Sequence, residues 1–498
     1  MSDTKKSYQQ ILKTTSLFGG VQFFSILISI VRTKLIALFI GPAGMGIIAL
    51  LNSTLGIVSS ISGFGIETSS VKSISENYIN NDLKTVSKTV QIVKRLVFFT
   101  GIFGMLVTIA FSKVLSILTF GDSSQTYSYV LLSITILFKQ LSGGQLAILQ
   151  GLRSLRFLAE ANFYGNLFGL IFSIPLYYFL KINAIVPTIF IASLSALIFS
   201  FYYVKKVKTE RHKILKTDLI FEGKLIVKLG FMLTISSVLT LLSTYLIQIY
   251  IGKTGGLEQV GFYNAGFTLL NSYVGIVFTV MSTDYFPKLA SINADNEKVR
   301  ASVQQQAFIS VLIITPVIVL FLAFSSLIIR LLYTSGFNPV IPMVSAGILG
   351  MLFRAVSWSM GFILIAKGDS AMFVKTAVGF NILSLIMNIS GYYFYGLEGL
   401  GFSFCLYFLF HFTGLKIITK NRYNFYFGKD FYQIYLGCFI LCIITYLLRF
   451  IEIQVLKYVL FSLMIVLSFS FSLYEINKKM NLREIFTSFV QRKRDKND

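Results

Sequence analysis

Charge is what this sequence has least of: 13% of its 498 residues are Asp, Glu, Lys or Arg, against about 25% in soluble domains. A soluble chain of this length would form two or three domains. It could not hide 49 Phe and 26 Tyr behind so few charges. Histidine is nearly missing, with His212 and His411 only, which removes His-based metal sites. The three cysteines, Cys405, Cys438 and Cys442, stand inside apolar runs without metal-ligand spacing and read as buried thiols. No metal and no cofactor are expected. A secretory signal is also lacking, because the first apolar run has no small-residue cleavage site and leads straight into a second one. Strand-like alternation is absent too, which excludes a β-barrel.

What is present is hydrocarbon. Apolar residues make up 55% of the chain and its mean hydropathy is +0.74. A helix needs about 20 mostly apolar residues to cross a bilayer. Fourteen such runs follow one another, at 11–38, 44–67, 96–119, 127–150, 157–180, 183–204, 227–252, 259–283, 305–331, 341–366, 371–394, 399–419, 431–450 and 456–474. The expected fold is an all-α integral membrane protein of fourteen transmembrane helices.

The net charge of +23 would suggest nucleic acid in a soluble chain. In a membrane protein it reports topology first, because Lys and Arg gather in cytoplasmic loops. With the N-terminus in the cytoplasm, 34 of the 44 basic residues fall in inner loops and flanks. Lys205, Lys206, Lys208, Arg211, Lys213 and Lys216 form the densest run. The outer side holds only Lys113, Lys181, Lys253, Arg330, Arg449 and Lys457. Both termini are therefore expected in the cytoplasm, and no nucleic-acid partner is expected. In the tail, Leu482, Ile485, Phe486, Phe489 and Val490 recur at helical spacing among basic residues, the pattern of an interfacial helix on anionic lipids.

The chain also repeats itself. Leu50-Leu51-Asn52-Ser53 recurs as Leu269-Leu270-Asn271-Ser272, and Asn166 with Tyr177-Tyr178-Phe179 recurs as Asn381 with Tyr392-Tyr393-Phe394. A looser third match sets Ile40-Gly41 against Ile251-Gly252. Two six-helix lobes related by pseudo-two-fold symmetry follow, 1–204 and 227–420. A basic linker at 205–226 joins them, two additional helices occupy 431–474, and a basic amphipathic tail ends the chain at 475–498. Paired repeats around a buried site mark alternating-access transporters.

Four cations lie inside the apolar runs: Arg32, Lys34, Lys139 and Arg354. A charge near the bilayer centre costs about 2.5–3.5 kcal/mol on insertion scales. Lys34 stands seven residues before Gly41-Pro42-Ala43-Gly44 and has the option of snorkelling outward. Glu160 is the one carboxylate taken to lie within a run. It is a candidate for ion coupling, or a simple partner for Arg153 or Arg156. One carboxylate does not neutralise four cations, so the excess must face water or an anionic ligand. Guanidinium forks and ammonium point charges suit phosphate oxygens. A phosphate- or pyrophosphate-bearing substrate fits best, and acidic sugars come second.

These residues resemble a known family, the bacterial Wzx-type polysaccharide flippases of the multidrug/oligosaccharidyl-lipid/polysaccharide exporter superfamily. The resemblance is carried by Lys34–Gly46 (KLIALFIGPAGMG), Ala147–Arg153 (AILQGLR), Tyr285–Ala290 (YFPKLA) and Arg354–Lys367 (RAVSWSMGFILIAK). It implies a non-enzymatic flippase of the inner membrane, carrying undecaprenyl-diphosphate-linked oligosaccharide from the cytoplasmic to the outer leaflet through a cationic cavity. It also implies that Lys34 and Arg354 line that cavity, that the last two spans help form a groove for the lipid tail, and that polysaccharide polymerase machinery is a partner. Two alternatives stand beside it. A multidrug antiporter of the same superfamily would be expected to carry buried carboxylates, and a membrane polysaccharide polymerase a large outer loop.

Overall fold

The computed structural model describes residues 2–79, 82–207 and 216–480, and among them only helical elements and their connections occur. The chain forms two compact units, Met1–Gly261 with Leu332–Gly336, and Phe262–Leu331 with Phe337–Asp498. The expected tail helix lies, beyond Met480, outside the described residues, as do Lys208, Arg211 and Lys213 of the basic run in the linker.

The first unit holds α1 (Ser2–Ser62), α2 (Ile66–Ile79), α3 (Leu83–Ala110), α4 (Ser112–Phe120), α5 (Thr126–Gly151), α6 (Leu155–Leu180), α7 (Ile185–Lys206), α8 (Lys216–Gly255) and the start of α9 (Leu257–Thr268). Helix α1 is broken at Gly41, whose φ of 64° and ψ of −169° few L-residues tolerate. The break is a reversal: Arg32 and Ile36 before it line the same cavity as Asn52 and Ile48 after it. Helices α6 and α7 form a second hairpin around Lys181 (φ 51°), with Gly165 against Ala196 and Gly169 against Ala192. Small residues let two backbones approach where no hydrophobic force draws helices together. A close backbone approach lies between α1 and α9. A methyl added at Gly46 would overlap the carbonyl of Leu257, and one at Gly261 would overlap that of Pro42.

A buried hydroxyl network ties four helices of this unit. The Tyr129 hydroxyl lies 3.0 Å from Thr54 Oγ1, and Thr119 Oγ1 lies 2.6 Å from the Tyr245 hydroxyl. Each hydroxyl both donates and accepts, so such a cluster satisfies itself without water. Around it pack Leu51, Leu55, Leu132, Ile136 and Ile185.

The second unit holds α10 (Ile276–Ser291), α11 (Asn296–Leu332), α12 (Val340–Gly347), α13 (Gly350–Ala366), α14 (Ser370–Tyr423), α15 (Lys429–Leu447) and α16 (Gln454–Met480). Helices α12 and α13 are one apolar stretch bent by 44°. Helix α14 reverses at Tyr395 and Gly396 (φ 57°), bringing Met387 to Ser403 and Phe380 to His411.

The left-handed positions of the backbone repeat in the register that sets Tyr177 on Tyr392. In that register Lys181 falls on Gly396, and Arg153 (φ 53°) on Gly368 (φ 70°). Gly41 likewise falls on Gly256 (φ 84°), which divides α8 from α9. The looser match to Gly252 marked the neighbourhood of that turn but not the turn itself.

The fourteen apolar runs all lie on these helices. By length and composition, nine helices among the described residues can cross a membrane, ten with the bent pair. The counts differ because Leu27–Ser62, Leu155–Lys206 and Ser370–Tyr423 each contain a reversal, and because the run at 259–283 is divided between α9 and α10, each too short to qualify alone.

Asp369 caps α14 by accepting from Met372 N–H, and it is clasped by Arg422 and by the Tyr423 hydroxyl at 2.7 Å. The Tyr423 hydrogen bond leads the contacts that hold its carboxyl below the ordinary carboxylate range.

Two consequences can be measured. Gly46→Ala should destabilise the fold by about 1–3 kcal/mol through overpacking. Gly56→Ala, where a methyl meets open space, should instead be neutral or stabilise slightly; equal melting temperatures for the two variants would refute the close approach. A carboxyl depressed in the folded state adds stability above its unfolded value, and that stability is lost as pH falls through the folded value. Asp369→Asn should therefore melt lower at neutral pH and lose the part of the acid transition below about pH 4 that Asp369 supplies. Wild-type and variant melting curves recorded against pH decide it.

Candidate functional site

Arg32 and Lys139 meet at one cavity. It has a volume of about 290 Å³, and Arg32, Asn52, Ser142, Ser173, Tyr177 and Thr188 are among the residues lining it together with Lys139. The reversal at Gly41 brings Asn52 back to the level of Arg32, and the α6–α7 hairpin closes the opposite wall. A methyl at Gly169 would make ordinary contact with Arg32 Nη2 at 3.5 Å, and the tighter limit at that position is Ala192 Cα at 3.3 Å.

The electrostatics of this cavity are one-sided. Arg32 Nη2 donates to the Asn166 carbonyl at 2.8 Å, while its Nε is buried without a hydrogen-bond partner. The Lys139 ammonium has no hydrogen bond or ion pair among the described residues. Two cations in a largely apolar wall, with no carboxylate in the lining, are costly unless an anion joins them. The remaining polar groups are hydroxyls and one carboxamide; Ser142, Ser173 and Ser193 donate to carbonyls of their own turns, which leaves the Asn52 carboxamide and the Tyr177 hydroxyl as donors for acceptor oxygens. Thr188 Oγ1 and the Tyr177 hydroxyl are held together at 2.7 Å, which fixes both side chains in the lining.

The other expected site residues stand elsewhere. Lys34, two positions after Arg32, emerges on a different side of the helix; its ammonium donates to the Tyr333 carbonyl, and it does not line the cavity. Arg354 lies in the second unit. Its Nη1 donates to Asn271 Oδ1 at 2.8 Å, and its guanidinium sits 5.4 Å from the Phe278 ring and 5.3 Å from the Phe408 ring. Asn271 belongs to a single π-turn, Leu269–Val274, between α9 and α10. Glu160 accepts from Arg156 Nε at 2.8 Å across one turn of α6, where the Arg156 side chain is 73% exposed. Of its two expected partners the structure selects Arg156.

One acidic residue escaped the sequence reading. Glu67, on the first turn of α2, lays its carboxylate against Gly143 of α5, where a methyl would overlap it. Gly143 is one turn from Lys139 on the same face of α5. At the very end of its apolar run, Glu67 looks like an interfacial residue by position alone. The hydroxyl residues of the cavity also gave no sequence signal, because Ser and Thr in helices ordinarily bond back to their own turn, as Ser193 does to Ile189. Among the described residues no His, Cys, Asp or Glu group could hold a metal ion. Cys438 and Cys442 are buried and Cys405 half-buried, all as free thiols.

Residues 35–342 match a family described as polysaccharide biosynthesis protein. No curated protein matches the chain. Among solved structures, the chain is similar to lipid II flippase MurJ in an inward closed conformation, with 16% identity and a TM-score of 0.67 over 93% of this chain and 99% of that one. It is also similar to a multidrug resistance MATE family transporter of the MOP superfamily in its inward-facing conformation, with 12% identity and a TM-score of 0.66 over 80% and 94% of the two chains. A MOP superfamily transporter from Pyrococcus furiosus, described as having a binding pocket of reverse polarity, matches at 12% identity and a TM-score of 0.61 over 83% and 96%. At these identities the likeness establishes the fold, that of multi-pass membrane transporters.

An uncompensated charge in an apolar wall weakens the fold. Lys139→Met, which keeps most of the length of the side chain, should therefore raise the melting temperature, whereas Glu160→Gln should leave it within about 2 °C of wild type, as for an exposed ion pair. A drop on Lys139→Met would reveal a partner for the ammonium.

Proposed function

Because the chain belongs to the polysaccharide biosynthesis protein family, and resembles the Wzx-type flippases, we propose that it translocates undecaprenyl-diphosphate-linked oligosaccharide from the cytoplasmic to the outer leaflet of the bacterial inner membrane. The single observation that carries this reading is the pairing of Arg32 and Lys139 in one cavity with no acidic lining residue. A diphosphate supplies the missing negative charge and enough acceptor oxygens for both cations and the donors beside them. The cavity opens alternately to the two faces of the membrane while the lipid tail stays in the bilayer, and no covalent step is required. Both termini face the cytoplasm, in keeping with the basic inner loops.

The basic residues of each unit, taken by itself, support that topology. In the first, Arg153, Arg156, Lys205 and Lys206 flank the ends of α5, α6 and α7 opposite the Lys181 turn. In the second, Lys367, Lys420 and Arg422 stand opposite the Gly396 turn. Lys34 is a further cation for the same anionic class, already bonded to the Tyr333 carbonyl, whereas Arg354 bonds Asn271 within the second unit. Polysaccharide polymerase machinery is the partner expected downstream. A cationic-drug antiporter would need carboxylates where this cavity has cations.

The test is leaflet exchange of a labelled undecaprenyl-diphosphate glycan in proteoliposomes. Arg32→Gln and Lys139→Gln should each slow exchange by about tenfold or more, the scale on which truncating one member of a buried charge pair acts. Wild-type rates in both variants would overturn the reading.

A further inference from the structure

Lys139 and Arg354 are the same position of the duplicated chain. The register that sets Tyr177 on Tyr392 and Lys181 on Gly396 also sets Lys139 on Arg354. Packing within each unit obeys it. Gly165 meets Ala196 in the first, and their counterparts Phe380 and His411 meet in the second with ring centroids 4.3 Å apart. Each cation also has the corresponding Asn: Asn52 lines the Lys139 cavity, and Asn271 bonds Arg354.

The walls facing the two cations differ. In the first unit Ala192, Ser193 and Ala196 of α7 line the open cavity. Their counterparts in the same register are Tyr407, Phe408 and His411 of α14. There the Phe408 ring lies over the Arg354 guanidinium, and Tyr407 and His411 pack with ring centroids 5.8 Å apart. The Arg354 guanidinium thus stands between two aromatic faces with Nη1 on a carboxamide oxygen, so rings occupy the space beside it. Lys139 has none of these partners.

We propose that the duplication has divided one ancestral cation site into two roles: an anion pocket at Lys139 kept open by Ala192, Ser193 and Ala196, and a ring-filled cage at Arg354. The three small residues are then specificity determinants, since they decide that a phosphate-bearing group enters, without contributing any charge. Arg354 is a positioning residue that holds the π-turn at Asn271. This division rests on the anion-binding reading of the Arg32–Lys139 cavity, and the two are separable by experiment.

The probe is farnesyl diphosphate, with farnesol as the control for the lipid moiety, titrated against the purified full chain in detergent. Wild type should bind one diphosphate per chain. Ser193→Phe should weaken binding by about tenfold or more, as expected when a ring fills the space an anion needs, whereas Ile198→Phe on the outer side of α7 (54% exposed) should not change it. Conversely, Tyr407→Ala, Phe408→Ser and His411→Ala together should create a second site, lost again on adding Arg354→Gln. Undiminished binding in Ser193→Phe alongside lost binding in Lys139→Gln would overturn the division, as would a stoichiometry that stays at one in the folded triple variant. If instead Arg32→Gln and Lys139→Gln both bind like wild type, the pocket itself has been misread and the division falls with it.

Discussion

Every peptide group of this chain that faces hydrocarbon must find its hydrogen-bond partner within the chain, and the architecture follows from that constraint. Helices meet it locally, which is why the described residues form helices and short connections with no sheet. At Gly41, Lys181 and Gly396 the chain reverses in one or two residues at a left-handed backbone position, so that few groups are released. Gly41 and Gly396 pass through such positions without strain, and Lys181 adopts one despite its side chain. The same economy lets hairpins pack on glycine and alanine, leaving side-chain volume for the places that need a cavity.

That packing places Arg32 and Lys139 where water is scarce and no carboxylate answers them. A fold tolerates such an arrangement when the missing partner arrives with a ligand, and stability is then traded for binding. The second unit shows the alternative solution at the equivalent position. Its arginine stands between two rings and bonds a carboxamide oxygen. Duplicated helices thus carry one position in two surroundings, set by what the facing helix presents.

Much of this was legible in the sequence. The apolar runs fall on the helices, because hydrophobic length is a local property. The repeat was visible in Leu50–Ser53 and Leu269–Ser272, since a π-turn or a reversal constrains its own few residues. The four intramembrane cations were also identified. Which of them meet was not readable, because Lys34 and Arg32 are two residues apart yet emerge on different sides of α1. Glu67 drew no notice at the end of its run, while its carboxylate in fact lies against α5.

Composition and spacing by themselves determined a membrane-embedded helical chain, its duplication and an excess of buried positive charge, for all three depend on residue type and on neighbours within a turn or two. Tertiary structure alone decided that Arg32 and Lys139 share a cavity while Arg354 stands between two rings and a carboxamide. That outcome depends on Ala192 and Ala196 on the one hand and on Phe278 and Phe408 on the other, residues far from the cations in sequence and brought to them only when the hairpins close.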